Sequence, residues 1–187
     1  IKYNSAGIKQ WTRQFGTSSY DSALGVATDV SGNIYVTGST WGDLDGNVSA
    51  GGYELFLVKY NSSGAKLWTQ QLGTSLDEAG RDITIDSSGN LYVVGYTGGG
   101  LDGNTSAGNQ DAYLVKFDSD GKKQWTKQFG SADFEDAYGV ANDSSGNIYV
   151  TGRTGGGLDG ITNNIGGGLD GNTSAGLSDI FLVKYNS

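Results

Sequence analysis

Acidic side chains recur in two loop families of the 187-residue sequence, and either family could bind cations. In the first family an aspartate follows leucine and precedes glycine, and its members are Asp45, Asp102, Asp159 and Asp170. The first copy, Asp43-Leu-Asp45-Gly-Asn47, has the spacing of oxygen ligands typical of calcium loops. No acidic residue is placed to close that loop, and the other copies have glycine where Asp43 stands. The alternative to structural calcium is an Asp-Gly turn whose carboxylate bonds its own backbone. We expect no other cofactor.

The second acidic family lies just before the first predicted strand of each repeat. Its members are Asp21, Glu78 and Glu135. If these strands line a central channel, the three carboxylates form a ring of like charges at one mouth. Such a ring could gather cations or polar ligands. Carboxylates that are simply solvated at the surface are the alternative.

Three tryptophans, Trp11, Trp68 and Trp125, lie 57 residues apart. A flat exposed indole suits the face of a sugar ring, so glycan stacking is one interpretation. The regular recurrence of a large apolar side chain favours the other, packing between neighbouring repeat units. Three glutamines follow in the same segments, and we expect them to hydrogen-bond across neighbouring units: Gln14, Gln71 and Gln128.

The composition excludes several kinds of function. The chain has no histidine and no cysteine, so the commonest general base and the thiol nucleophile are both missing. The formal charge of −8 argues against nucleic acid and anionic membrane surfaces, which attract basic proteins. No apolar run approaches the ~20 residues that span a bilayer, so no membrane insertion is expected. No nucleophile elbow or phosphate-binding motif is present, and we assign no catalytic, cofactor-binding or metal-binding residue.

The sequence consists of internal repeats about 57 residues long. The tryptophans share their 57-residue spacing with other positions, including Asp29, Asp86 and Asp143. The third repeat is 11 residues longer, because the hexapeptide GGGLDG occurs twice between residues 155 and 176. Lengthening an exposed loop costs little free energy, whereas a strand could not absorb the insertion. The duplication therefore predicts a surface loop.

Each repeat contains four short candidate strands separated by glycine-rich turns. Segments such as IYV and FLV are apolar on both faces, which indicates sheets covered on both sides by copies of the same unit. The period is too long for the coils of a β-helix and too short for immunoglobulin-like domains. We therefore predict an all-β fold, a partial β-propeller of four-stranded antiparallel blades of about 57 residues.

The repeat divides residues 1–187 into one propeller segment. Residues 1–16 form the end of one blade, and residues 17–73 and 74–130 form two blades. Residues 131–187 form a blade that lacks its outermost strand and carries the loop duplication. The chain opens on IKYNS and closes on FLVKYNS, which indicates a piece of a longer repetitive polypeptide. We expect that polypeptide to hold the remaining blades; completion by other copies of the chain is the alternative.

The recurring motifs carry a family resemblance. They are D-x-S-G-N-[IL]-Y-V-[TV]-G, then L-D-G-N, [FY]-L-V-K-[YF] and K-x-W-T-x-Q, in fixed order. This pattern resembles the bacterial SBBP β-propeller repeat along essentially the whole chain. The resemblance implies a blade of large secreted or surface-attached bacterial proteins, and therefore an extracellular or cell-surface location.

These observations favour a non-enzymatic extracellular repeat module, a scaffold or adhesive segment of a larger protein. Near-identity between copies supports this, because an active site in a propeller breaks the symmetry of the repeat. One alternative is a lectin-like propeller that binds carbohydrate. Another is a ring or filament that assembles through open blade edges, which invite pairing with another chain. The expected partners are protein or glycan ligands, or copies of the chain itself.

Overall fold

A computed structural model describes residues 1–157 and 176–186 of the chain. In these residues the regular elements are β-strands and two one-turn 3-10 helices, Leu44–Gly46 and Leu101–Gly103. No helix in this part of the chain has the length and apolarity of a membrane span. Most of the duplicated loop, with Asp159 and Asp170, lies outside the described residues.

The strands of the described residues form four antiparallel sheets. The N-terminal hairpin consists of β1 (Lys2–Tyr3) and β2 (Lys9–Trp11). Blade 1 consists of β3 (Asp21–Thr28), β4 (Ile34–Thr40), β5 (Glu54–Tyr60) and β6 (Lys66–Leu72). Blade 2 consists of β7 (Glu78–Ile85), β8 (Leu91–Thr97), β9 (Asp111–Phe117) and β10 (Lys123–Phe129). Blade 3 has β11 (Glu135–Asn142), β12 (Ile148–Thr154) and β13 (Asp179–Tyr185) within the described residues.

The blades are arranged as in a wheel, which confirms the prediction of a partial β-propeller. Each blade runs in chain order from its first strand to its last, and neighbouring strands are antiparallel. The first strands converge, since β3 packs against β7 and β7 against β11. Among the described strands, no contact of that extent joins β6 to β10. The three blades form an open arc, and their sheets are not closed into a ring.

An aspartate organises the first turn of every blade. In blade 1 the carboxylate of Asp29 accepts hydrogen bonds from the backbone N–H groups of Ser31 and Asn33, 3.0 and 2.9 Å away. It also accepts bonds from the Asn33 amide and the Tyr35 hydroxyl. Gly32 takes a φ of 77°, which glycine adopts without strain. The same bonds recur at Asp86 and Asp143, so the DxSGN motif specifies the hairpin locally.

The core consists of the interfaces between blades. We call the surface of a blade that meets the following blade its forward face, and the opposite surface its rear face. The forward face of blade 2 includes Ala112 and Leu114, and it packs against Ile148, Val150 and Val183 of the rear face of blade 3. The same pairing of faces joins blade 1 to blade 2. Both surfaces of a middle blade are therefore buried, as the apolar strands predict.

The N-terminal hairpin has the register of the last two strands of a blade. Lys2 pairs with Trp11 in the hairpin, as Lys59 pairs with Trp68 in blade 1. Beyond the hairpin, Phe15 packs edge-on against Phe56 of blade 1, with ring centroids 5.8 Å apart. The hairpin and Phe15 thus lie where the outer part of a preceding blade belongs.

A β-bulge interrupts the first strand of each blade. Gly80 pairs with Gly95 and Asp82 with Val94, so Arg81 between them has no partner across the ladder. The same shift occurs around Leu24 in blade 1 and Tyr138 in blade 3. A bulge redirects a side chain and bends its strand. Three equivalent positions on the innermost strands therefore carry leucine, arginine and tyrosine.

Candidate functional site

Two of the carboxylates at the start of the first strands, Glu78 and Glu135, have a structural role where one blade joins the next. Glu78 is fully buried and accepts hydrogen bonds from the N–H and hydroxyl of Thr74, at 2.6 and 2.8 Å, and from the Thr97 hydroxyl at 2.6 Å. Burial raises the pKa of Glu78, opposed by these hydrogen bonds. Glu135 is buried in the same way, against Ser131 and Thr154.

The hypothesis of a charged ring at the channel mouth is therefore wrong for these residues. Glu78 and Glu135 are enclosed by the loop that links one blade to the next, and their oxygens are taken by that loop and by the second strand. Asp21 makes the equivalent bonds to Thr17 and Thr40, but it is exposed because the blade before it is represented only by the hairpin and Phe15. Each carboxylate connects a loop to two strands rather than facing a ligand.

A second row of buried acids, at the start of the third strands, was not found by sequence reasoning. Glu54 and Asp111 accept hydrogen bonds from Gln71 and Gln128 respectively, each at 2.7 Å. The Gln128 amide oxygen also accepts the N–H of Leu101 at 2.9 Å. The only available signal was the shared register of Glu54, Asp111 and Asp179 in the repeat.

The glutamines were predicted to bond across blades, and this prediction is wrong for the two inner ones. Gln71 bonds Glu54, the carbonyl oxygen of Gly42 and the N–H of Leu44, all in its own blade. Gln128 makes the equivalent bonds within blade 2. The side chain points along its sheet to the LDG turn, so it fixes that turn instead of joining two sheets.

The aspartates of the LDG turns form ion pairs with lysines of the fourth strand. Asp45 contacts Lys66, and Asp102 contacts Lys123. Both aspartates have a positive φ, 54° and 58°, inside a one-turn 3-10 helix. Partial burial raises the pKa of Asp45, but bonds from Lys66 and Thr69 outweigh it and lower the pKa overall.

The first LDG loop does not gather further acids around Asp45. The carboxylate of Asp43 accepts the N–H of Ser49 at 2.8 Å. In residues 1–157 and 176–186 no three acidic side chains converge as a metal site would require. Calcium binding in these loops stays a prediction.

The tryptophans of the fourth strands pack between blades. Trp68 and Trp125 are partly buried against the inter-blade clusters, 6.0 and 6.1 Å from the rings of Tyr35 and Tyr92. A Cβ atom at Gly121 of blade 2 would lie 3.1 Å from the Trp68 ring, so a turn of the next blade rests on the indole. This geometry agrees with the packing interpretation and, at Trp68, leaves little of either ring face for a sugar.

Side chains that differ between blades meet at one place, the inner end of the junction between blades 1 and 2. A cleft of about 310 Å³ lies there, bordered by Leu24 and Arg81 from the bulges and by Tyr20, Tyr53 and Tyr96. Trp41 packs against Tyr53 beside the cleft, with ring centroids 5.0 Å apart. We call these six residues the mouth cluster.

The mouth cluster breaks the symmetry of the repeat. The positions of Tyr20 and Trp41 hold Asp77 and Gly98 in blade 2. Tyr96 occupies the position held by Ser39 in blade 1. Residues that fix the fold recur in every blade, whereas these do not. They were missed because sequence reasoning searched for recurrence, and only an aligned comparison of the three repeats would have revealed them.

The cation of the cluster is fixed by a neighbouring blade. Arg81 donates two hydrogen bonds to Asp136 of blade 3, at 2.9 and 3.3 Å, and its guanidinium lies over the rings of Tyr96 and Tyr138. Burial lowers the pKa of Arg81, but the bonds and charge of Asp136 outweigh it and raise the pKa. The group therefore stays charged and held in one orientation.

The chemistry of the mouth cluster suits binding. It offers aromatic faces, phenol hydroxyls and one oriented cation, a combination that recognises polar ligands with flat apolar surfaces. The acid at its border, Asp21, already bonds Thr17 and Thr40. Within the described residues, the cluster holds no pair of acids that could act as general acid and base.

Comparison with known proteins agrees with this architecture. The SBBP β-propeller repeat family matches the chain three times, at residues 10–45, 67–102 and 124–159. Each match runs from the fourth strand of one blade to the LDG motif of the next. The three matches together cover more than half of the chain.

Two larger proteins are similar in sequence. The regulatory protein FlaEY of Caulobacter vibrioides is 30% identical over 148 residues, which is 75% of this chain and 15% of FlaEY. An uncharacterized WD repeat-containing protein of Acanthamoeba polyphaga mimivirus is 23% identical over 215 residues, 94% of this chain and 16% of that protein. The chain spans less than one fifth of the length of either relative.

Proposed function

Because the chain belongs to the SBBP family of β-propeller repeats, we propose that it is a non-enzymatic interaction module of a larger bacterial protein, secreted or attached to the cell surface. The observation that carries the proposal is that recurring and variable side chains have different roles. Carboxylates that recur between blades bond their own loops and strands, whereas the side chains that vary gather in the mouth cluster.

The ligand surface of this module is the mouth cluster. Tyr20 and Trp41 are exposed, so a ligand reaches them without rearrangement of the blades. Arg81 is oriented by Asp136 and needs little ordering when a ligand binds, which favours affinity. A protein loop or a glycan can use such a surface.

Carbohydrate binding is the second candidate, and one observation favours it. Tyr20 and Tyr53 border a cleft of about 310 Å³, which is the scale of a small polar ligand, and the Trp41 ring packs at a tilt against Tyr53 beside it. Aromatic faces suit the apolar face of a sugar, and the phenol and guanidinium groups suit its hydroxyls. The tryptophans of the fourth strands have no part in this surface.

A binding screen with matched variants tests the proposal. The purified chain is applied to a glycan array and to a display library of peptides, with and without calcium. For any ligand found, Tyr20→Ala and Trp41→Ala should each weaken binding by about tenfold or more, since aromatic anchors dominate such sites. Phe134→Ala, the repeat equivalent of Tyr20 in blade 3, should leave binding unchanged.

Two results would overturn the proposal. Saturable turnover of a glycan or ester substrate would exclude a non-enzymatic role. Binding that survives both cluster variants but not Phe134→Ala would place the ligand elsewhere. For the location, an antibody against this segment should label intact cells of the bacterial host, and labelling only after lysis would contradict it.

A further inference from the structure

The guanidinium of Arg81 uses only part of its hydrogen-bonding capacity. Its Nε and Nη2 atoms donate to the carboxylate oxygens of Asp136, at 3.3 and 2.9 Å. This side-on pairing leaves Nη1 and one N–H of Nη2, which together form the end-on edge of the planar group. Within the described residues, no group accepts a hydrogen bond from Nη1 of Arg81. An end-on edge can pair with a second carboxylate through two parallel bonds.

Arg81 reaches the cleft at the junction of blades 1 and 2. It borders that cleft, whereas Asp136 does not. The Arg81 side chain is 31% exposed and the Asp136 side chain 1%, so the ion pair is closed on the side of blade 3. The bonded edge is therefore turned to blade 3, and the end-on edge is left for the cleft. Blades 1 and 2 are each described with four strands, so the neighbours that enclose this cleft are present in the structure.

The surroundings of Arg81 keep its charge and its orientation. The guanidinium carbon lies 5.1 Å from the ring centroid of Tyr96 and 5.8 Å from that of Tyr138. The charge of Arg153 also acts on Asp136, so two arginines are set against one carboxylate and the group keeps a net positive charge. A cation that is already oriented loses little conformational freedom when it binds an anion.

Hydroxyl groups dominate the rest of the cleft. The side chains that carry them are Tyr20, Ser22, Ser39, Tyr53 and Tyr96. The apolar side chains at its border are Leu24 and Ala79. A peptide that binds tightly usually inserts a large side chain into a well-packed pocket, and these two small contributions do not form one. Hydroxyls and ring faces instead suit a sugar, whose own hydroxyls both donate and accept hydrogen bonds.

The charges around the cleft limit the ligand to one negative group. Among the described residues at its border, Arg81 is the only basic one. The carboxylate of Asp21 lies at the same border and repels a doubly charged phosphate more strongly than a singly charged carboxylate. The chain as a whole carries a formal charge of −8, which disfavours a polyanion. A single carboxylate on an otherwise neutral ligand meets all three conditions.

We propose that the cleft binds a glycan through one uronic acid residue, whose carboxylate pairs with the end-on edge of Arg81. This inference rests on the proposed interaction module and names the ligand class of its mouth cluster. The cleft of about 310 Å³ holds the acidic sugar. Neutral sugars next to it contact Trp41, which is 49% exposed beside the cleft.

Titration calorimetry with oligosaccharides that carry one uronic acid on a neutral chain tests the ligand. The panel contains glucuronate, galacturonate and mannuronate, each with its methyl ester and its carboxyl-reduced neutral form. At least one acid should bind, and its ester and neutral forms should bind about tenfold more weakly or worse, because charge-assisted hydrogen bonds are lost. The same neutral chain with one sulfate ester tests the other singly charged anion and should bind less tightly than the uronic acid.

Substitutions at Arg81 test the role of its end-on edge. Arg81→Lys keeps a charge beside Asp136 but loses the planar pair of donors, so it should weaken binding of the acid by about tenfold and leave binding of the ester unchanged. Arg153→Lys is the matched control, because Arg153 does not border the cleft, and it should bind as the natural chain does.

A double variant removes the cation without leaving a buried charge unpaired. Arg81→Leu together with Asp136→Ala should lower the affinity for the acid to that for its ester. Urea unfolding checks that this variant and the two lysine variants remain folded. If Arg81→Lys fails to fold, the double variant still tests the proposal.

Four results would overturn the inference. They are no binding by any acid of the panel, equal affinity for an acid and its ester, tighter binding of the sulfate ester, and equal weakening by Arg81→Lys and Arg153→Lys. A peptide or neutral glycan whose binding depends on Tyr20 and Trp41 would refute the uronic acid and leave the interaction module intact. Ligands unaffected by Tyr20→Ala and Trp41→Ala would refute the module itself, so the two proposals fail separately.

Discussion

The guanidinium of Arg81 lies 2.9 Å from the carboxylate of Asp136, joining the first strand of blade 2 to that of blade 3. At the preceding junction the equivalent residues are Leu24 and Ala79. The first strands of blades 2 and 3 are therefore joined by an ion pair, whereas the equivalent positions of blades 1 and 2 hold apolar side chains.

This comparison predicts how the ion pair contributes to stability. Arg81→Leu alone should lower the free energy of unfolding by about 2–3 kcal/mol, because Asp136 is only 1% exposed and loses its partner; the partly exposed arginine reduces the loss. Arg81→Leu together with Asp136→Ala reproduces the residues of the first junction and should recover most of the lost stability. Urea unfolding of the natural chain, the two single variants and the double variant gives the coupling energy. Additive losses in the double variant would show that the pair is not coupled.

Removal of a buried first-strand carboxylate should be costly. Glu78→Ala leaves the Thr74 N–H and the Thr97 hydroxyl without their acceptor, and we expect a loss of about 2–3 kcal/mol. Asp21→Ala removes the same bonds at an exposed position, where water replaces them, and should cost about 1 kcal/mol or less. Thermal and urea unfolding measure both. Equal losses would contradict the importance of burial.

The turn aspartates should make the fold acid-sensitive. Bonds from the Asn147 amide and, among others, the Tyr149 hydroxyl lower the pKa of Asp143 from 3.8 to about 2. A carboxyl whose pKa is lower in the folded state stabilises above its unfolded value and loses that contribution as the pH falls through the folded value. The effect of Asp143 is therefore complete above about pH 4 and is lost toward pH 2.

Urea unfolding at pH 5, 4, 3 and 2 tests this dependence. Asp143→Asn should be less stable than the natural chain at pH 5, and the difference should shrink as the pH falls. Asp120→Asn, at an exposed turn position of blade 2, serves as the control and should follow the natural chain. A pH-independent deficit in Asp143→Asn would mean that ionisation is not its cause.

The glycine opposite each bulge should not tolerate a side chain. A Cβ at Gly95 would lie 1.8 Å from the carbonyl oxygen of Ala79, which is backbone and cannot move aside. Gly95→Ala should therefore cost about 3 kcal/mol or more, measured by thermal unfolding. In the described residues no atom lies within 4 Å of a Cβ placed at Gly176, so Gly176→Ala should be neutral. A mild effect at Gly95 would show that the bulge is adaptable.

The repeat sequence was enough to predict the sheets, because the information is local. Motifs such as DxSGN close a hairpin with their own side chains, as Asp29 does with Ser31 and Asn33. Apolar strands such as residues 55–58 then require cover on both faces, which only neighbouring blades supply. Because the unit recurs at a fixed spacing, these two features together predict a propeller.

The site depends on information that is not local. Whether Glu78 faces water or is enclosed is decided by the link between two blades, and a recurring acid in sequence looks the same in either case. The bulge at Arg81 arises from pairing with β8, and no residue type marks it. Both features require knowledge of which segments become neighbours.

The bulge has a consequence for how such proteins diversify. The residue at the bulge lies outside the ladder, so strand pairing does not dictate its identity. Leucine, arginine and tyrosine already occupy this position in three successive blades. Gene duplication can add blades, and point mutations can then change the bulge residue of each blade. A new recognition surface can evolve in this way while the fold of the blades stays the same.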